Sequence, residues 1–347
     1  MQTRAQSILL SLAITSCSGD GNDTGTSDAT TTTTSDPTTD VPTGDPTAMT
    51  TDPTDGEIGA VTMCATPVPL RVGDWTDNMT FAIDPAGTAL YLTVHDVAYR
   101  WTIAGGADCG FTADTAYTPT LGGEATDIAV TVDGEVYASI EFSSFSPARI
   151  WPQADAGPCL LGPDEGLGAQ SIAVGADGTG IVAGSNDGEY HTQLYRTVPN
   201  APTCTLELQW TETGTGDDGY EPFVLDADGR AHVLALDPET QVGHVIFVFD
   251  AGGAMVTSYK PDGVDLCTGS ALTRCGADIC VMSCTDLYRF ASDGTEKGHA
   301  DLAELFNDYT PTYVGAAGAD DGSFYVLRVA GDVQPDGYPL EVLRFGG

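Results

Sequence analysis

The 347-residue chain carries 50 Asp and Glu against 12 Lys and Arg, a formal net charge of −38 at pH 7. So acidic a balance argues against nucleic acid, whose phosphates require clustered basic side chains. Frequent Val, Ile, Thr and Tyr, Gly-rich turns and few sustained 3.6-residue patterns predict one large all-β domain over residues 61–347.

The N-terminus reads as an export signal over residues 1–16. Arg4 precedes the apolar run Ile8–Ile14, and a run of roughly seven to fifteen apolar residues suits a cleaved signal, whereas a spanning helix needs about twenty. The run stops at Ile14-Thr15-Ser16-Cys17. These four positions resemble the lipobox of bacterial lipoproteins, in which the cysteine becomes the lipidated N-terminus. The resemblance implies a membrane anchor on Cys17, and Ser18 after it, in place of Asp, implies the outer membrane. An ordinary signal peptide with an incidental cysteine is the other reading.

Residues 17–60 hold nine acidic residues, no basic ones, and a run of Thr, Asp and Pro. Such a segment buries too little apolar surface to offset its chain entropy. Its prolines and self-repelling aspartates predict an extended tether. An O-glycosylated stalk is the alternative.

From there a hairpin recurs. Asp127–Ile140 sets two short β-branched runs about Asp133-Gly134, and similar turns lie at Asp84–Gly87, Gly175–Gly178, Asp226–Gly229, Gly276–Asp278 and Ala319–Gly322. The six turns are 44 to 51 residues apart. Each hairpin is followed by a third run: Tyr99–Trp101, Arg149–Trp151, Leu194–Arg196, Ile246–Phe249, Leu287–Phe290 and Leu343–Phe345. A weaker fourth often follows, as at Cys204–Leu208. Four strands at a period near 45 describe a propeller blade, which buries its faces only against neighbours. The expected fold is therefore a six-bladed β-propeller of four-stranded blades. The last blade ends one strand short, and Cys64–Val72 has no blade of its own, so this segment is expected to close the ring as an N-terminal outer strand and hide a sheet edge. The pattern resembles six-bladed propellers of the NHL, YWTD and TolB-like kind, which implies architecture and no particular activity.

Two repeated features read as structural. Asp226-x-Asp228-Gly229 opens like a calcium loop, but no bidentate Glu follows at the required distance, and Asp-Gly is a hairpin-turn signal. Arg100, Arg149, Arg196, Arg289 and Arg344 recur at one position of the third runs, which suggests a repeated pairing with a carboxylate on a neighbouring strand.

Eight cysteines remain after Cys17, an even number in an exported chain. Cys275 and Cys280 flank one turn almost symmetrically, and Cys267 and Cys284 lie nearly opposite further along that hairpin, which predicts Cys275–Cys280 and Cys267–Cys284. Cys64, Cys109, Cys159 and Cys204 recur at outer-strand starts and stay unpaired in this reading. The five histidines show no ligand spacing, and no nucleophile elbow or phosphate loop appears.

One constellation points to a ligand. Residues just before each innermost strand line the mouth of a propeller's central channel, and here they include Asp77, Asn78, Glu124, Asp127, Gln170, Glu221 and Asp308. Converging carboxylates and amides would suit a hard cation such as Ca²⁺, and gluconolactonase-like propellers hold a metal with a similar set. Tyr220, Tyr309 and Tyr313 nearby could stack a sugar or peptide. The reading is a lipid-anchored propeller at the cell surface, a non-catalytic binding or scaffold module for a protein, peptide or carbohydrate. A Ca-dependent hydrolase or lactonase using the acidic channel is the alternative.

Overall fold

The computed structural model describes residues 61–63, 68–72, 79–104, 110–141, 145–152, 159–161, 171–178, 181–186, 192–197, 205–211, 222–237, 243–264, 266–267, 270–306, 312–329 and 338–346. They are almost wholly strand. Two short strands come first, β1 (Val61–Met63) and β2 (Val68–Val72). The first sheet follows: β3 (Met79–Ile83), β4 (Ala89–Val94), β5 (Val97–Ile103) and β6 (Phe111–Ala113). The second has β7 (Ala125–Val130), β8 (Val136–Glu141) and β9 (Phe145–Trp151). The third has β10 (Leu160–Leu161), β11 (Ser171–Val174), β12 (Ile181–Asn186), β13 (Thr192–Thr197) and β14 (Thr205–Thr211). The fourth is β15 (Phe223–Leu225), β16 (Ala231–Leu236), β17 (His244–Phe249) and β18 (Met255–Tyr259). The fifth is β19 (Ala271–Cys275), β20 (Asp278–Ser283), β21 (Asp286–Phe290) and β22 (Glu296–Asp301), trailed by the short helix α1 (Leu302–Phe306). The sixth is β23 (Thr312–Gly318), β24 (Phe324–Val329) and β25 (Tyr338–Phe345).

Within each sheet a run of consecutive strands forms an antiparallel meander, β11 to β14 in the third, and the first strands of these meanders lie side by side in cyclic order, β3 against β7, then β11, β15, β19, β23 and back to β3. This is a β-propeller arrangement. All six glycine-bearing turns join first to second strands, and Gly87, Gly134, Gly178, Gly229, Gly276 and Gly322 all take positive φ there, a conformation that L side chains resist.

The second strands are near-continuously apolar because both faces of each sheet are covered, and β4 is buried along its whole length. Leu90, Leu92 and Val94 of β4 pack toward the sixth sheet with Tyr325, Leu327 and Leu340, while Ala89 and Tyr91 pack toward the second with Ile128 and Val136. Comparable clusters lie between the second and third, third and fourth, fourth and fifth, and fifth and sixth sheets. Each large apolar side chain so buried is worth about 1.5–3 kcal/mol. Backbone hydrogen bonds also join neighbouring turns: Val132 N–H to Gly178 O at 3.0 Å, Gly276 N–H to Ala319 O at 2.8 Å and Asp320 N–H to Pro85 O at 2.8 Å.

Strand number departs from the expected four per sheet. The second sheet has three strands among the described residues, and the chain after it crosses over: β10 runs parallel to β14, pairing Leu161 with Leu206 on the edge of the third sheet. Burial explains the crossing. Cys159, 3 % exposed, sits in the cluster that holds Leu206 and Tyr195, and its N–H donates to Pro147 O at 2.7 Å. In the sixth sheet β25 pairs with β24 on one side and with β1 and β2 on the other, Val61 opposite Phe345 and Val68 opposite Leu340. Residues ahead of Cys64 thus take part as well, in two short strands rather than one.

In the fifth sheet, Cys275–Cys280 and Cys267–Cys284 are bonded, with Cα–Cα distances of 6.0 and 5.8 Å. The first link is diagonal, since Cys275 stands opposite Asp278 and Cys280 opposite Thr273. Cys159 is disulfide-bonded too, and Cys64, Cys109 and Cys204 lie outside the described residues.

Candidate ligand channel

The six first strands enclose a channel of about 380 Å³. Its wall mixes apolar residues such as Phe81, Ile128 and Phe223 with the short polar side chains of Thr80, Ser171 and Ser270. β19 and β23 approach so closely that a Cβ on Gly318 would overlap the carbonyl of Arg274, while Gly318 N–H donates to Thr273 Oγ1 at 2.9 Å. At the turn end, Arg274 Nη2 lies 2.8 Å from Asp320 Oδ1, tying the fifth sheet to the sixth.

Asp127 is the carboxylate in the β7 wall. Its Oδ2 accepts from Ile172 N–H at 2.8 Å and Ser171 Oγ at 3.2 Å, and its Oδ1 from Ile128 N–H at 2.8 Å. Part of the residue faces the channel, yet burial dominates and pushes its pKa up to about 6, against those three donors, which favour the ionised form. Asp127 therefore works as a strap from the second sheet to the third. Glu124 is placed differently. It lies off the channel wall, with Oε1 3.3 Å from Nδ1 of His95, which occupies the β4–β5 turn with φ of 54°.

Thus the two candidate carboxylates that fall on described residues do not converge on one point. Asp77, Asn78, Gln170, Glu221 and Asp308 lie outside the described residues, as do Cys17, Tyr220 and Tyr309. Tyr313 sits in β23 against the cluster between the fifth and sixth sheets. Among the described residues no three His, Cys, Asp or Glu side chains stand together as a metal would need.

The repeated arginines are held near the turns rather than in the channel. Arg149 pairs with Glu135 at 2.6 Å, Arg196 with Asp177 at 2.6 Å, Arg289 with Asp278 at 2.8 Å and Arg344 with Asp321 at 3.2 Å, each carboxylate coming from the first hairpin of the same sheet. Arg100 instead meets Asp114, just beyond β6, at 3.3 Å. In three sheets a tyrosine stands opposite the arginine: Tyr91 with Arg100, Tyr137 with Arg149 and Tyr325 with Arg344. Burial opposes ionisation of Asp278, but Lys297 and Arg289 outweigh it and hold that carboxyl below its ordinary range.

The fourth sheet carries a different device, which sequence reasoning missed. His232 occupies the tyrosine position and Val248 the arginine position. His232 is fully buried, with Nε2 3.3 Å from Asp226 Oδ2 and Nδ1 3.0 Å from the Tyr259 hydroxyl. Because a carboxylate only accepts, Nε2 carries the proton and Nδ1 accepts from Tyr259. Asp226 also accepts from Asp228 N–H, Arg230 N–H and Arg230 Nε at 2.9, 2.9 and 2.7 Å. The apparent calcium loop is therefore a hairpin turn wound around its own aspartate. Burial lowers the His232 pKa below 6.5 and keeps the ring neutral. Burial pushes Asp226 up, but the Arg230 N–H, His232 and the Arg230 guanidinium overrule it and leave the carboxyl lowered.

No protein-family model matches this chain, and a search of curated proteins finds no match either.

Proposed function

We propose that this chain is an exported, lipid-anchored propeller that binds a protein, peptide or carbohydrate without transforming it. The anchor would be Cys17 after a signal peptide at 1–16, the tether residues 17–60, and the location the outer membrane or cell surface. The domain would be a closed six-bladed ring of the NHL, YWTD or TolB-like kind, completed by its two short N-terminal strands. What carries the binding reading is the channel: an open cavity of about 380 Å³ whose β7 carboxylate, Asp127, is already held by three donors from the wall. Such a wall offers shape, apolar surface and hydroxyls, the usual means of holding a ligand.

Elemental analysis of the purified chain, with melting curves in chelator and in excess Ca²⁺, tests this reading. The expected result is no stoichiometric metal and no calcium-dependent shift. About one tightly held divalent ion per chain, with a higher melting temperature in calcium, would overturn it in favour of a metal-dependent hydrolase or lactonase. For the anchor, Cys17→Ala should release the protein from membranes, and unchanged membrane association would sink that part.

A further inference from the structure

Sheet edges expose unpaired backbone groups, and proteins protect them with cover, charge or proline. Most outer edges here follow that rule. β1 and β2 cover β25, and β10 covers Thr205 and Leu206 of β14, beyond which Glu207 places a charge on that edge. β22 carries Glu296, Lys297, His299 and Asp301, β9 is interrupted by Pro147, and β6 is three residues long. β18 is the exception. Met255-Val256-Thr257-Ser258-Tyr259 has no charge, proline or glycine. Its first four residues are exposed, Met255 by 59 % and Val256 by 56 %. It pairs with β17 on one side, and among the described residues no strand lies on the other.

We propose that β18 is a docking edge for an extended basic peptide segment, which adds to the fourth sheet as a further strand. Main-chain hydrogen bonds would supply affinity, and Met255 and Val256 would receive apolar side chains of the guest. Charge selects the guest. Asp250 lies in the turn entering β18, Asp262 follows its end, and Asp293 lies in a turn whose Gly294 packs on the Tyr259 ring. The basic residue at that end, Lys260, is engaged by Asp237 at 3.2 Å. A second copy fits less well. It would bring the same aspartates together on chains of net charge −38, and one five-residue edge falls short of the roughly 1,200 Å² that a stable interface buries. The edge lies outside the channel wall, so this inference does not depend on what the channel holds.

The test uses the full chain and a short synthetic peptide in which lysine alternates with valine and threonine. Hydrogen exchange should slow at Met255–Tyr259 on adding this peptide, and not at β6 or β22. The same peptide N-methylated at alternate backbone positions keeps its charge but cannot complete a strand, and should give no protection. Val256→Lys should weaken binding at least tenfold while leaving the melting curve in place, since that side chain is exposed. Equal binding by the N-methylated peptide, or protection spread over all edges, would overturn the proposal. So would β18 protection without peptide in a chain that sediments as a dimer, which would make the guest a second copy.

Discussion

The fourth sheet and its neighbours solve one problem with different chemistry. The sheets fasten their first turns across strands by different contacts. Four tie the turn to the third strand with an arginine and a carboxylate, the most exposed being the Arg196–Asp177 pair, whose side chains are 40 % and 54 % exposed, and the first sheet instead ties Arg100 to Asp114 beyond β6. The fourth turns inward: Asp226 and His232 are 2 % and 0 % exposed, and Tyr259 completes the chain from the outer strand. Exposed ion pairs contribute little because water screens them. A buried carboxylate that loses its partners is costly. The fourth repeat thus carries its fastening as a buried network, whereas pairs such as Arg196–Asp177 are replaceable surface contacts.

The sharpest way to break this contrast is Asp226→Ala, which strands Arg230, His232 and two backbone donors at once. It should cost about 3–5 kcal/mol, measured by chemical denaturation, and a loss under about 1 kcal/mol would mean the network is idle. His232→Phe keeps the ring volume but abandons Asp226 and Tyr259, and should cost about 1–3 kcal/mol.

Titration then separates the fourth sheet from the channel wall. His232 has a lowered pKa in the fold, so unfolding takes up a proton and stability falls as pH drops below 6.5. Asp127 has the opposite sign. Its pKa, raised to about 6 from 3.8, means the folded state gains a proton first, a contribution lost as pH rises through about 6. Melting temperatures at pH 7 and pH 5 should therefore fall less for His232→Phe than for the parent, and more for Asp127→Asn. The reverse order would refute both assignments. Smallest of all, Arg196→Ala should change stability by no more than about 0.5 kcal/mol, and a larger loss would erase the distinction between surface and buried fastenings.

Local features were readable from the sequence because their causes are local. A glycine at positive φ and two flanking β-branched runs specify a hairpin wherever they occur, so all six first turns and third strands could be placed. The recurrence of arginine was visible as well, but its partners were not, because Asp114, Glu135 and Asp321 are selected by register across strands. Non-local pairing hid the rest. Nothing in Leu160-Leu161 announces that it joins Leu206 rather than β9. His232 showed no ligand spacing, since its partners sit six residues before it and 27 after it. The channel mouth was read from position along the strands, which told neither that Asp127 would be tied to Ser171 nor that Glu124 would turn to His95.

The pairing of Val61 with Phe345 carries a consequence for assembly. β1 and β2 precede every sheet, yet their partner is β25, so they remain without a template until the whole intervening chain has been ordered or at least delivered. Contacts of such long range are slow to form. β25 also lies between β24 and the N-terminal strands. A stop codon just before Tyr338 would therefore leave β1 and β2 without a partner and bare one edge of β24, which keeps β23, and so release the N-terminal segment from the opposite end of the gene.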